Sequence, residues 1–371
     1  MKGSVRIRNE RYSYYFKYKD EGGKWRTKEK GGFSTKKAAE SALRKAIIDF
    51  EENSFVAKSS HYTVKTYFEY WFENIGEMKL KYNTKKLYCI TSAKHIFPKL
   101  GNIRLTKLTP ETLQTFFTDK QKSLGNSTLK AIRNIMNNLL NLAVKQNILK
   151  INPMKQVEFF YKANDKKVRG LSKEEVVKVL KHLELKKSRY YTAFLIAIHT
   201  GMRRGEILGL TWDCVDFKGS TITVSKQLQV VDKGELVIVG TKTNSSRTIQ
   251  MTKLLHHYLK KLKVEHVKAR EFYAQHYYQE HFFVCQNKDG SPIYPPSLTK
   301  CAMNLSKKLG LAFCFHDLRH THATLMLEAD ANIKVVQARL GHIDISTTLN
   351  IYSHVTKTLE EQTLDKFNDF F

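Results

Sequence analysis

From Val64 to Ile75 an apolar side chain returns every third or fourth residue. Val64, Tyr67, Phe68, Trp71, Phe72 and Ile75 fall at i, i+3, i+4, i+7, i+8 and i+11. That is the helical period, and it leaves no room for a strand. A second run of the same period starts at Asn126 or Ser127 and carries Leu129, Ile132, Ile135, Met136, Leu139, Leu140 and Ala143. Between the two, a helix is expected over Thr84 to Phe97. Thr109-Pro110-Glu111 supplies an N-cap, a first-turn proline and an early acid, opening another helix with Leu113, Phe116 and Phe117 inside. Residues 60–152 are therefore expected to form an all-helical domain with these stripes as its core. The lysines between them (Lys79, Lys81, Lys85, Lys86, Lys94 and Lys99) either meet phosphates or lie in solvent.

The period changes on both sides of this domain. Residues 1–55 read as a small β-β-β-α unit. Val5 and Ile7 mark a first strand, and Tyr12, Tyr14, Phe16 and Tyr18 alternate with Ser13, Tyr15, Lys17 and Lys19 in a second. Asp20-Glu21-Gly22-Gly23 is a turn, and Lys24 to Lys28 forms the third strand. Ser34 or Thr35 then caps a helix with Ala39, Leu43, Ala46, Ile47 and Phe50 on one face. Two readings stay open: a basic sheet that enters a DNA groove, or a packing unit whose tyrosines cover their own helix. Residues 153–169 have no clean period and read as a linker. Ser172 and Glu175 make a capping-box signature that opens a last domain, 170–371. It is expected to be mostly helical, with one antiparallel sheet from Thr221 to Val231, Glu235 to Lys242 and Arg247 to Met251. The fold class expected is multidomain α+β.

Charge narrows the partner. The chain of 371 residues has 63 Lys+Arg against 35 Asp+Glu, a net +28. The excess is +6 over residues 1–53, +13 over 54–168 and +9 over 169–371, so the helical domain is the most basic for its length. Such a surplus suits a polyanion. No apolar run approaches the ~18 residues of a membrane span, and no strongly basic amphipathic helix dominates, so nucleic acid is favoured over membrane. The first residues hold no signal-peptide core, and a soluble, cytoplasmic protein is expected. Cys89, Cys214, Cys285, Cys301 and Cys314 are odd in number and widely spaced, which favours neither a disulfide framework nor a zinc module.

Four local features of the last domain carry chemistry. Thr200-Gly201-Met202-Arg203-Arg204-Gly205-Glu206 follows an apolar helix, and the carboxylate of Glu206, three residues on, can orient Arg203. Lys242 lies between two strands, where a lysine is solvated unless the tip folds over a ligand. In His316-Asp317-Leu318-Arg319-His320-Thr321-His322, helical spacing puts His316, Arg319 and His320 on one face. A metal is disfavoured there by the cation of Arg319, whereas the guanidinium fork suits phosphate oxygens. Last come Leu340-Gly341-His342, where Gly341 ends a helix built on Ile333, Val336 and Leu340, and then Tyr352, which taken alone reads as a core side chain.

In this order and spacing the four features resemble the catalytic domain of tyrosine recombinases. The whole chain resembles integrases of phages and conjugative transposons of Gram-positive bacteria. The resemblance implies an active site of Arg203, Lys242, His316, Arg319, His342 and Tyr352, all six family positions being filled. It implies that Tyr352 forms a covalent 3′-phosphotyrosyl bond that conserves the phosphodiester energy. Arg203 and Arg319 would clamp the non-bridging oxygens, as a metal does elsewhere. His316 and His342 would add hydrogen bonds and help move the phenol proton, Lys242 would protonate the departing 5′ oxygen, and Glu206 would hold Arg203. No cofactor or metal is expected.

Carried over to the whole chain, the resemblance implies an arm-type DNA-binding domain (1–55) and a core-site DNA-binding domain (60–152). The partners implied are double-stranded DNA at core and arm sites, a homotetramer on that DNA acting through a Holliday junction, an excisionase and a host DNA-bending protein. The location implied is the bacterial cytoplasm, at the nucleoid. The apolar tail 359–371 packs either on its own domain or on the neighbouring protomer. Two other functions compete: strand cleavage of the type IB topoisomerase kind, and DNA binding without catalysis. The arm-like domain argues against the first, and six catalytic-type residues in order argue against the second.

Overall fold

The structure is a computed structural model that describes residues 3–8, 10–19, 24–59, 61–161, 170–240, 246–341 and 349, with backbone alone at 19 and 51–59. Lys242, His342, Tyr352 and the tail 359–371 lie outside the described residues. The chain divides into two compact units, 1–164 and 165–371. Among the described residues, no helix is long and apolar enough to cross a membrane.

The first unit begins with an antiparallel sheet in the order β1 (Gly3–Arg8), β2 (Arg11–Lys19), β3 (Trp25–Phe33), followed by α1 (Lys36–Ser59). Strand alternation sorts the aromatics. Tyr14 and Phe16 are buried with Leu43 of α1, and the Phe50 ring meets those of Phe16 and Tyr18 at 5.4 and 4.5 Å. These rings therefore cover their own helix, while Arg6, Tyr15 and Lys17 occupy the opposite face. The third strand runs on to Phe33, past the expected end at Lys28. Tyr12 pairs with Phe33 but Tyr14 pairs with Lys30, so β3 holds one residue too many and bulges. The Gly31-Gly32 pair that permits this bulge reads in sequence as a strand end.

The helical part of this unit matches its periodicity. Thr63 caps α2 (Val64–Trp71), which passes through a π-helical turn (Phe72–Gly76) into α3 (Glu77–Lys79). Likewise α4 (Tyr82–Thr91) passes through a π turn (Ser92–Ile96) into α5 (Phe97–Leu100). Pro98, which has no N–H to return to the preceding turn, sits where that π turn ends. Then come α6 (Pro110–Ser123), capped by Thr109, and α7 (Asn126–Lys145), whose apolar stripe from Leu129 to Ala143 is buried along its length. Each Leu, Ile or Met of that stripe contributes about 1.5–3 kcal/mol on burial. Residues 153–161 pack onto this core. Met154 and Val157 are buried, the Gln114 side chain donates to Glu158 O and accepts from its N–H, and the Arg133 guanidinium lies 4.0 Å from the Phe159 ring centroid.

In the second unit, Ser172 and Glu175 form the capping box of α8 (Lys173–Leu185). Next is α9 (Tyr191–Thr200), buried nearly all round, as a helix apolar on every side must be. It leads to α10 (Arg204–Leu208) and to β4 (Val215–Asp216), β5 (Thr221–Val224), β6 (Lys226–Val230), β7 (Leu236–Gly240) and β8 (Arg247–Gln250). The helices α11 (Lys253–Tyr273), α12 (Pro295–Leu309), α13 (Asp317–Glu328) and α14 (Ile333–Leu340) complete it. One sheet was expected; two are found, ordered β4-β5-β8 and β6-β7. The register explains the split. Val224 pairs with Arg247 and Lys226 with Gly240, so a step of two on one side faces a step of seven on the other. The ladder must break between these two pairs.

Candidate active site

The apolar helix α9 ends at Gly201, whose φ of +65° is left-handed. This reversal aims the following residues back across the domain. Arg203 precedes α10, and its N–H donates to Glu206 Oε2 at 2.9 Å while its Nη1 donates to Glu206 Oε1 at 2.9 Å. Glu206 is 2% exposed. It also takes a bidentate pair from Arg247 on β8, with Nη1 to Oε1 at 3.2 Å and Nη2 to Oε2 at 2.7 Å. Burial alone would raise the carboxyl's pKa, but Arg247 and Arg203 together hold it below the usual carboxylate range.

Arg319 comes from α13 and is 5% exposed. Its Nη1 donates to Gly201 O at 2.8 Å and its Nη2 to Leu340 O at 2.7 Å. Among the described residues it has no carboxylate partner. Burial, assisted by the charge of Arg203, pushes its pKa down to about 9, so it stays a cation at neutral pH.

The three guanidinium groups meet at one helix end. Arg247 Nε donates to Arg339 O at 2.8 Å, Arg319 Nη2 to Leu340 O, and Arg203 Nη2 to Gly341 O at 3.4 Å. Three consecutive carbonyls at the C-terminus of α14 thus each accept from a different arginine. Carbonyls at that end lack partners within the helix, and the helix dipole makes them a favourable place for cations. Gly341 closes α14 with φ +66°, and a Cβ there would lie 3.1 Å from the Arg247 side chain. A Cβ on Gly201 would lie 2.5 Å from Leu340 and 2.7 Å from His322. Both glycines are needed for conformation and for room. Two of these cations share one carboxylate and the third, Arg319, has none among the described residues; that surplus of positive charge is what a phosphate site needs.

His316 is the residue before α13, exposed, with its ring 5.8 Å from that of His320 in an edge-to-face arrangement. Partial desolvation, then His320, Arg319 and Arg203, lower its pKa and favour the neutral ring. His322 lies on the inner side. Its Nδ1 donates to Ile198 O at 2.8 Å, which leaves Nε2 buried without a partner among the described residues, and burial pushes its pKa down to about 4.

The sequence matches the Phage integrase family over residues 169–358, more than half of the chain. The chain belongs to the phage integrase family. Residues 4–50 match an Arm DNA-binding domain, and residues 63–121 an N-terminal SAM-like domain of phage integrases. Relatives include a XerC-like tyrosine recombinase of Caldanaerobacter subterraneus subsp. tengcongensis, 28% identical across 95% of this chain and 94% of that protein. Another is the ICEBs1 integrase of Bacillus subtilis, 28% identical across 79% of each. In fold, the chain is similar to the Tn1549 transposon integrase in complex with transposon right end DNA, with TM-score 0.69 and 20% identity, covering 82% of this chain and 100% of that one. It is also similar to lambda integrase bound as a dimer to a core site, with TM-score 0.58 and 19% identity, covering 94% and 93%. As a member of this family the chain is a tyrosine-type site-specific recombinase.

Of the six positions that the family resemblance singled out, Arg203, His316 and Arg319 are described, and the fold brings them to one place. Lys242, His342 and Tyr352 are outside the described residues. Glu206 holds Arg203, as its spacing suggests, but it also holds Arg247. In sequence that second arginine stands only as the first residue of the expected strand Arg247 to Met251. Its signal is β8 itself, where Arg247 stands two residues before buried Ile249 and so shares its inward face. His322, two residues beyond His320, is the other participant that the motif did not separate from its neighbours.

Proposed function

We propose that this chain breaks and rejoins double-stranded DNA through Tyr352, integrating and excising a mobile element. The observation that carries the reading is the cluster of Arg203, Arg247 and Arg319 at one helix end, the first two held by one buried carboxylate. Arg203 and Arg319 bind the non-bridging oxygens of the scissile phosphate, where negative charge concentrates as the bond changes hands. The Tyr352 oxygen attacks phosphorus and the 5′ oxygen leaves. The phosphodiester becomes a 3′-phosphotyrosyl ester, and no external energy source is needed. The leaving oxygen takes a proton from Lys242. His316 and His342 hydrogen-bond the phosphate and accept the phenol proton, and the lowered pKa of His316 favours the neutral ring that can accept it. The free 5′-OH of a second duplex then attacks the phosphotyrosyl bond. Arg247 is a positioning residue: it touches Glu206, and through it fixes Arg203.

Residues 1–55 bind arm-type sites, 60–152 bind the core site with the catalytic domain 170–371, and 153–169 join them. The matched arm-binding and SAM-like segments support this division. The lambda integrase tetramer bound to a Holliday junction supports four protomers acting on two duplexes. An excisionase and a host bending protein set direction, the tail 359–371 docks on the neighbouring protomer, and the enzyme works in the cytoplasm at the nucleoid.

Two plasmids carrying marked attachment sites test the reading. Exchange of flanking markers is the expected result. Relaxation of supercoils without exchange would replace it by a topoisomerase activity, and binding without either would leave a non-catalytic protein.

A further inference from the structure

The outer face of the N-terminal sheet carries Arg6, Arg8, Arg11, Tyr15 and Lys17, and in the middle of these cations lies, alone among the described strand residues of that face, the carboxylate Glu29. A surface built only to grip phosphates gains nothing from that charge, which repels them. Its contacts show another use. Arg6 Nε and Nη2 donate to Glu29 Oε1 and Oε2 at 3.1 and 2.5 Å. The hydroxyl of Ser13, itself 3% exposed, also donates to Glu29 Oε1 at 3.3 Å, anchoring the carboxylate from below. The Tyr15 ring covers one face of the guanidinium, 4.8 Å from Arg6 Cζ. One edge and one face of Arg6 are thus occupied. Among the described residues nothing takes the end of the fork: both protons of Nη1 and the second proton of Nη2. An open depression of about 400 Å³ lined by Arg8, Arg11, Ser13, Glu29, Gly31 and Gly32 lies beside it.

We infer that Arg6 is a sequence-reading residue of the arm-type site, and that Glu29 and Tyr15 hold its guanidinium end-on for the O6 and N7 acceptors of a guanine in the major groove. This rests on the reading of residues 1–55 as the arm-binding module. Guanine is the base whose major-groove edge offers two adjacent acceptors to two parallel N–H donors. The carboxylate acts twice: it stops the side chain rotating, and it discourages the phosphate contact that would carry no sequence information. As a plain surface ion pair, the same contact would contribute little and would not alter base preference.

The test is selection of bound duplexes from a random library by the intact protein, wild type against Arg6→Ala and Glu29→Gln, followed by affinities for single-base variants of the selected arm motif. In the wild type one G·C pair is required, and replacing it costs roughly 5- to 150-fold in affinity. In Arg6→Ala that replacement costs less than about twofold, while the rest of the motif is kept. In Glu29→Gln discrimination at the same pair falls, yet affinity for unrelated DNA holds or rises because a negative charge has gone. A merely structural role would instead weaken all sequences alike. Retention of the other positions of the arm motif by both variants serves as the control for folding of this sheet. An unchanged preference at every position in both variants overturns the inference while leaving the arm-binding reading intact. A wild type that selects only core sequences overturns both.

Discussion

Arg319 is a nearly buried cation that relies on two backbone carbonyls for its place. Lysine has one ammonium and cannot span Gly201 O and Leu340 O while presenting a planar fork. Arg319→Lys should retain DNA affinity and lose about 10²- to 10³-fold in cleavage rate, the scale seen when one preorganised donor is removed. Single-turnover cleavage of a core site measures it. Glu206→Gln takes the one carboxylate from two guanidinium groups, and a broken buried ion pair costs about 3–5 kcal/mol. Its denaturant midpoint should fall together with its cleavage rate. His322 gives a pH prediction. Its folded pKa of about 4 lies below the ~6.5 of an ordinary histidine. The unfolded chain therefore binds more protons than the fold between those values, and stability is complete above this window and falls as pH drops through it. Asparagine keeps a donor for Ile198 O without titrating, so His322→Asn should flatten the loss of stability between pH 6.5 and 4.5, measured by urea unfolding. If it does not, another group carries the acid sensitivity. His266, lowered to about 4 by burial, is the alternative. The pairing of Arg203 with Glu206 was legible in sequence because three residues of helix separate them. The pairing of Arg247 with Glu206 was not, since it spans 41 positions and exists only once β8 packs beside α10.

At the scale of elements, the site depends on how α14 ends. An α-helix leaves its last carbonyls unpaired, and here they accept from three arginines brought by α10, β8 and α13. The sequence showed that Gly341 stops a helix built on Ile333, Val336 and Leu340. It did not show that the stop is a platform, because the donors come from positions 203, 247 and 319. Gly341→Ala strains a left-handed residue by about 1–2 kcal/mol and places a methyl 3.1 Å from Arg247. The expected result is a modest fall in melting temperature with a larger loss of cleavage. Full activity in this variant would show that the helix end does not position the arginines. Amphipathic helices such as α2, α6 and α7 were readable because each buries one face against near neighbours. The sheets were less so: a bulge at Gly31-Gly32 and a register break between β7 and β8 depend on partners far along the chain.

Over the whole molecule, the net charge of +28 is distributed through every segment rather than gathered in a tail. Much of it serves affinity, whereas Arg203, Arg247 and Arg319 are committed to each other, to Glu206 and to α14. DNA binding should therefore weaken steeply with salt, by about 10³-fold or more between 50 and 200 mM if six or more phosphates are neutralised. The same salt step should leave the single-turnover rate of pre-bound complexes almost unchanged, because a buried cluster is poorly screened. The central claim is that this cluster serves a transition state at a phosphate attacked by Tyr352. The most direct measurement is incubation with a nicked suicide core-site duplex, followed by denaturation and a count of covalent protein–DNA adducts. Wild type should accumulate the adduct; Tyr352→Phe should bind the duplex equally well and form none. An adduct of undiminished yield in Tyr352→Phe would contradict the account.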